Sequence, residues 1–378
     1  MKRPRPWAAA LAVFCAIFVA GLWFILRQGP QTEGAEQPTD WMGAMASLSQ
    51  DGFERPEQAN PLEWPQDHAA HPSARSEVWQ MSAHLEGPEG TPVNVQFSMT
   101  RIGLVPPDSQ NDTVPSIWEL RDIYRAHLIA TDSTHNIAEE RFGRGVSGQA
   151  GFDEELQQLY FDNWALAFPD DSQTNAWQFT ATAGNLGMTL DLRPDKAPLR
   201  LDAEDAPFRG YAFTRMDVTG TLTTDGQEMP VTGTAWFDHA WGELPLPGAG
   251  PVYSDRMLVH LDNGDDLSVI VSQRSDGRGA PTVDAALIAA DGSTRPLGGD
   301  IAQVSFPRLW QGARVEWPVA WAIRLDDALE LEVTAVSDTQ EHEFTPLIWS
   351  GLVHAEGQLD GQPVRGSGIL QLSGERQE

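Results

Sequence analysis

Val93, Val95, Phe97 and Met99 alternate with Asn94, Gln96 and Ser98, and Leu186, Met188, Leu190 and Leu192 alternate with their neighbours in the same way. A period of two sends successive side chains to opposite faces of an extended chain, so both stretches are predicted half-buried strands. Further strands are expected at residues 123–131, 164–168, 177–182, 217–222, 231–237, 256–261, 267–272, 282–288, 319–325, 329–335 and 351–357. Helical spacing is almost absent. Asp225-Gly226, Asn263-Gly264, Asp276-Gly277, Asp291-Gly292 and Asp360-Gly361 fit tight hairpin turns. Many short antiparallel strands joined this way predict an all-β protein made of barrels or a sandwich, and a closed barrel has no exposed edge.

Residues 218–233 echo residues 355–366: each reads as a strand, an Asp-Gly-Gln turn and a returning strand that ends in Gly. Two related units, each with one such hairpin late in its length, would produce this echo. Ordinary hairpin composition would produce it as well.

The N-terminus differs from the rest. Lys2, Arg3 and Arg5 precede a largely apolar run at residues 7–26, which as a helix rising 1.5 Å per residue reaches across ~30 Å of hydrocarbon. Positive charge in front of the run places that end in the cytoplasm and the remainder outside it. The run stays bulky to its end and lacks an Ala-x-Ala cleavage site, so an uncleaved signal anchor is expected, with a cleaved signal peptide as the alternative. The polar stretch that follows has too few apolar residues to form a core and reads as a tether.

Composition narrows the functional classes. The length of 378 residues fits two domains, and 41% hydrophobic content with 14 Trp is too apolar for a disordered chain. The single Cys excludes an internal disulfide and a thiolate zinc cage. A formal charge of -29, from 54 acidic against 25 basic side chains, opposes binding to a phosphate backbone, so no nucleic-acid partner is expected.

No Gly-x-Ser-x-Gly elbow, Walker loop, dinucleotide glycine fingerprint or His-Glu-x-x-His helix occurs, and neither a cofactor nor a metal is expected. The densest chemical neighbourhood is Trp236-Phe-Asp-His-Ala-Trp-Gly242. On a continuing strand His239 and Trp241 share one face, and Asp238 points away. A His can transfer a proton near neutral pH, and an indole face stabilises an adjacent cation. That pair is suited to protonating an alkene. It is equally suited to a structural polar plug.

Residues 62–79, which include His68, His71, Glu77 and Trp79, together with residues 96–101, Ala126-His127, residues 160–164 and residues 233–242, resemble the secreted lipocalin-like family that includes carotenoid 1,2-hydratases and AttH-type proteins. The likeness covers roughly residues 60–375. It implies two consecutive lipocalin-like antiparallel barrels after an N-terminal membrane segment: signal anchor or signal peptide at 1–27, linker at 28–59, and lipocalin-like domains at 60–235 and 236–375. It also implies a hydrophobic small molecule or lipid as ligand. The His and Trp that protonate and stabilise an isoprenoid in the hydratase branch map onto His239 and Trp241, with Asp238 beside them. Glu77, Trp79, Arg101, His127 and Trp164 are the expected ligand-binding residues. Where many relatives carry Glu-Trp-Trp-Tyr, this chain has Glu77-Val78-Trp79-Gln80, so one aromatic wall and a Tyr hydroxyl are replaced.

The expected function is periplasmic binding of a hydrophobic ligand, an isoprenoid or lipid. The alternatives are a hydratase that adds water to an isoprenoid double bond, and a noncatalytic accessory of an envelope transporter held at the periplasmic face of the inner membrane.

Overall fold

A computed structural model describes residues 51–56, 60–109, 116, 118–132, 135–145, 148–169, 175–201, 206–244, 252–298 and 302–374. The first sheet contains β1 (Ser76–Glu86), β2 (Pro92–Gly103), β3 (Asp122–Thr131), β4 (Asn136–Arg144), β5 (Ala150–Asp153), β6 (Gln158–Phe161), β7 (Trp164–Ala167), β8 (Trp177–Ala183), β9 (Leu186–Pro194), β10 (Leu199–Arg200), β11 (Phe208–Thr224) and β12 (Gln227–Gly242). The second contains β13 (Val252–Leu261), β14 (Asp266–Arg274), β15 (Thr282–Ile288), β16 (Thr294–Gly298), β17 (Gln303–Gln311), β18 (Glu316–Leu325), β19 (Leu329–Ala335), β20 (Glu341–His342), β21 (Ile348–Leu359) and β22 (Gln362–Ser373).

The two sheets are wired alike. The first runs β4-β3-β2-β1-β12-β11-β9-β8-β7-β6-β5 and the second β16-β15-β14-β13-β22-β21-β19-β18-β17, so in each the opening strand pairs with the last. The echo in the sequence falls on equivalent hairpins, β11–β12 and β21–β22. Their turns match in backbone as well: Asp225 and Gly226 have φ of 51° and 77°, and Asp360 and Gly361 have 50° and 76°, the mirror-image turn that follows the natural twist of two strands.

Closure is where the expected pair of barrels is corrected. β4 and β5 are consecutive in the chain yet stand at the two ends of the first sheet's order, and β16 and β17 do the same in the second. Among the described residues no backbone ladder joins either pair, which leaves a near-barrel and a half-barrel. Side chains reach across the gap: Arg141 of β4 donates to Asn163 Oδ1 in the β6–β7 turn at 2.7 Å and lies 3.7 Å over the ring of Trp164, which opens β7.

The expected membrane segment at residues 7–26, and the tether after it, lie outside the described residues. No helix among the described residues is long and apolar enough to cross a membrane. The single-pass anchor, and the periplasmic-face location and the membrane and envelope-transporter partners that depended on it, find no support among the described residues and are not carried into the functional reading.

Alternation gives each sheet a filled interior. Trp79, Trp164, Trp177, Phe97, Phe161, Phe179, Phe213 and Tyr211 pack inside the first, and Trp317, Trp321 and Trp349 with Val and Leu side chains fill the second. Each fully buried aromatic removes 150–250 Å² from water, and these rings occupy the space in which a lipocalin-like barrel would hold a ligand. The outer faces of β1, β2, β3, β11 and β12 meet β13, β14, β21 and β22 along a polar seam. There Asp266, fully buried, accepts from Lys196 Nζ at 2.8 Å, Thr214 Oγ1 at 2.8 Å and Arg215 Nε at 2.9 Å, and Ser350 Oγ donates to Gln96 Oε1 at 2.7 Å.

Candidate active site

Strand register assembles the site at one end of the first sheet's interior. Glu77 of β1 lies opposite Arg101 of β2 and Trp241 of β12, and one residue pair further in Trp79 lies opposite Met99 and His239. β11 adds Tyr211 opposite His239 and Arg209 opposite Trp241. The chain leading into β1 covers this end: a short 3-10 turn, Gln66–His68, and the residues after it bring Asp67, His68 and His71 over the row.

Glu77 is the hub, and it is fully buried. Its Oε1 lies 2.8 Å from His71 Nδ1 and 2.9 Å from His239 Nε2, and its Oε2 accepts from Arg101 Nε at 3.0 Å. The His71 backbone N–H donates to both oxygens at 3.0 Å. Burial alone would raise the carboxyl pKa, but the bonds from His239 and His71 and the Arg101 charge outweigh it and hold Glu77 well below the usual carboxylate range. Arg101 also donates to Asp122 Oδ1 at 2.7 Å and to the carbonyls of His71 at 2.6 Å and Ala74 at 2.8 Å. It therefore fixes the covering segment as well as the carboxylate.

The two His residues are in opposite situations. His239 is fully buried, which pushes its pKa down against the pull of Glu77. Yet Nδ1 lies 2.9 Å from the Asp67 carbonyl oxygen, an acceptor only, and Nε2 faces the Glu77 carboxylate. An imidazolium donates to both, whereas a neutral ring with its proton on Nε2 accepts at Nδ1 from Tyr211 OH, 3.3 Å away. Burial thus disfavours on this ring a proton that its two acceptors favour. His71 is partly exposed; burial would lower its pKa, but its bonds to Asp67, at 3.3 Å from Nε2, and to Glu77 raise it. The cluster reaches solvent through His71, Asp67 and Asp122, each partly exposed.

Aromatic rings set the walls. Trp79 stacks on His239 with ring centroids 4.6 Å apart, and its Nε1 donates to the His68 carbonyl at 3.2 Å. His71 stacks on Trp241 at 3.8 Å, and the Arg209 guanidinium lies 5.8 Å from the centre of that indole. Tyr211 OH contacts His68 Nδ1 at 2.5 Å and His239 Nδ1 at 3.3 Å.

Of the residues singled out in the sequence, Glu77, Trp79, Arg101, His239 and Trp241 meet here. Asp238 faces the seam, 2.6 Å from Arg256 Nη2, and accepts from Trp236 Nε1 at 2.7 Å. His127 is also on the seam side, bonded to Glu140 at 2.8 Å and stacked on Phe344. Trp164 packs against Phe97 and Phe161 and donates to the Thr182 carbonyl at 3.1 Å. Sequence reasoning gave Asp67, His71 and Tyr211 no role. The signal for His71 was present in the residues 62–79 that carry the family likeness, but nothing in the spacing says that this irregular segment folds onto the end of the sheet.

Three metal-type ligand atoms, from His71, Glu77 and His239, lie within 4.8 Å of one another. Glu77 is already saturated with donors, and the Arg101 guanidinium beside it opposes a further cation. The set fits proton handling better than metal binding.

The profile of the AttH-like family matches residues 55–375. An assigned AttH of Nitrosomonas europaea has a similar structure, with 25% identity, 86% of this chain and 100% of that chain covered, and a TM-score of 0.71. Kievitone hydratase of Nectria haematococca is 13% identical over 85% of this chain and 96% of that chain, with a TM-score of 0.61, which is a likeness of fold. No curated protein matches the chain.

Proposed function

The chain belongs to the AttH-like family, and from that premise and the buried cluster we propose that it adds water across a carbon–carbon double bond of an apolar, isoprenoid-type molecule. The observation that carries the reading is His239 held between two acceptors, Glu77 Oε1 and the Asp67 carbonyl, in a site that reaches solvent through His71. Such a site stores a proton in a dry environment and can pass it outward. The reading extends to this chain the hydration for which kievitone hydratase is named, on the strength of the side chains and not of the fold.

In this reading His71 is the general acid. Its Nδ1–H is committed to Glu77, and its Nε2–H makes the longer bond to Asp67 and is the proton given to the substrate. Protonation of one alkene carbon leaves a cation on the other; water adds there and returns a proton to His71 Nε2, so the net change is one water. Between the two steps His71 is neutral, and Glu77 keeps its Nδ1–H in place so that Nε2 stays free to take the proton from water. Trp241 supports His71 by lying flat beneath it, so in this reading it holds the acid. Because the sheet interior is filled, the apolar body of the substrate lies outside it, at the mouth beside His71.

The test compares wild type with His71→Gln, Glu77→Gln and His239→Gln on an acyclic isoprenoid bearing a terminal dimethyl-substituted double bond, with circular dichroism to confirm folding. A general acid contributes ~10²–10⁴-fold. A fall of that size in folded His71→Gln is expected; unchanged turnover in that variant rules out its acid role. The alkaline limb of the wild-type profile belongs above pH 6.5, because the His71 pKa is raised from that value.

A further inference from the structure

A second site lies on the reverse side of the same strands. Between the sheets is a cleft of about 300 Å³ whose walls include Val78, Val252, Pro346, Ile348 and Leu372. Arg125 of β3 also lines it, with His127. No carboxylate is among the lining residues described.

Arg125 is 8% exposed, so its charge is almost wholly out of bulk water. Its Nη1 donates to the Thr345 carbonyl, and its nearest carboxylate oxygen, Glu140 Oε1, lies 3.9 Å from Nε. That oxygen is already engaged by His127 Nε2 at 2.8 Å and by the Thr345 backbone N–H at 3.2 Å. Burial lowers the Arg125 pKa to about 10, against the weaker opposing pull of Glu140. A buried guanidinium without a close carboxylate of its own costs stability unless something anionic completes it, and its planar donors suit a carboxylate.

We propose that this cleft binds an amphipathic organic acid, its carboxylate on Arg125 and its apolar body between Val78, Val252, Ile348 and Leu372. The site is separate from the Glu77 cluster: Val78 and Glu77 are neighbours on β1 but point to opposite faces, so a ligand in the cleft is one sheet thickness away from His71 and His239. Occupancy fastens the two sheets together, since its walls come from β1, β2 and β3 on one side and from β13, β22 and residues 346–348 on the other.

Calorimetry on the full chain, with decanoate and methyl decanoate as probes, tests this independently of any turnover. Wild type is expected to bind decanoate saturably and the ester about tenfold or more weakly, a difference of ~1.4 kcal/mol or more. Arg125→Met is expected to lose that preference. Ser254→Trp, at an exposed position on the cleft wall, is expected to block both probes without disturbing a buried group, and it decides the matter if Arg125→Met fails to fold. The proposal is overturned by absence of saturable decanoate binding to folded wild type, by equal affinity for acid and ester, or by undiminished decanoate binding in Ser254→Trp.

Discussion

His71 lies flat on Trp241, with ring centroids 3.8 Å apart and planes 3° from parallel. An imidazolium on an indole face is a cation–π contact, so the indole favours the protonated ring along with Asp67 and Glu77. Replacing Trp241 with Leu is expected to lower the His71 pKa by about half to one unit. A nitrogen-15 NMR titration measures it directly, and an unshifted His71 would mean that the stack is packing alone.

Removing the charge of Glu77 leaves Arg101 buried with Asp122 as its one remaining carboxylate partner. Glu77→Gln is expected to cost ~3–5 kcal/mol, the range for breaking a buried pair. The double variant Glu77→Gln, Arg101→Met should recover part of that loss. Urea unfolding checks both, and a double variant no more stable than the single one would show that Arg101 matters mainly through its bonds to the covering segment.

The seam gives the protein an acid-sensitive component. Burial, with the charges of Arg215 and Lys196, pushes His260 down to about 3, and burial with His260, His354 and Arg215 pushes His84 to about 4. Both rings are neutral when folded and protonate near 6.5 when unfolded, so the stability they contribute is present above pH 6.5 and is lost as pH falls from there toward 4. Glu77, with its pKa depressed, adds a loss that begins below about 4.5. The melting temperature is expected to fall steadily between pH 6.5 and 4.5, and less steeply in His260→Gln. An equal slope in the variant would place the acid sensitivity elsewhere.

Gly233 and Gly366 occupy equivalent places on the return strands of the two echoed hairpins. A Cβ on Gly233 would meet the His84 carbonyl oxygen and lie 2.8 Å from Leu85 Cα; one on Gly366 would lie 2.6 Å from Val259 Cγ1 and 2.7 Å from the His260 carbonyl oxygen. Alanine at either position is expected to cost ~1–3 kcal/mol by overpacking, measured by chemical denaturation. A neutral Gly366→Ala would break the parallel between the two units.

The strands and hairpins were legible because a half-buried strand must alternate: Val93 to Met99 and Leu186 to Leu192 are strands in the structure. Alternation also puts His239 and Trp241 on one face, but it does not say what the other face meets. Gln96 falls on the polar side of its alternating strand, yet it lines the seam with Gln80 and Asp238, and there Gln80 Nε2 donates to Gln371 Oε1 at 3.0 Å. Closure was not legible either, because it depends on whether β4 pairs with β5, residues that an open and a closed barrel would share. The covering segment around Asp67 and His71 has no period to read. Its position is set by long-range bonds such as Arg101 to the His71 carbonyl.

Proton transfer to carbon is the step on which the functional reading depends, and it leaves an isotopic mark. The isoprenoid substrate incubated in heavy water with wild type and with folded His71→Gln, and followed by mass spectrometry, should yield from wild type an alcohol carrying one deuterium on the carbon next to the new hydroxyl-bearing carbon. The variant should give little or none. Substrate recovered unchanged, without deuterium, from folded wild type would contradict the assignment of Glu77, His71 and His239 to hydration of such a double bond.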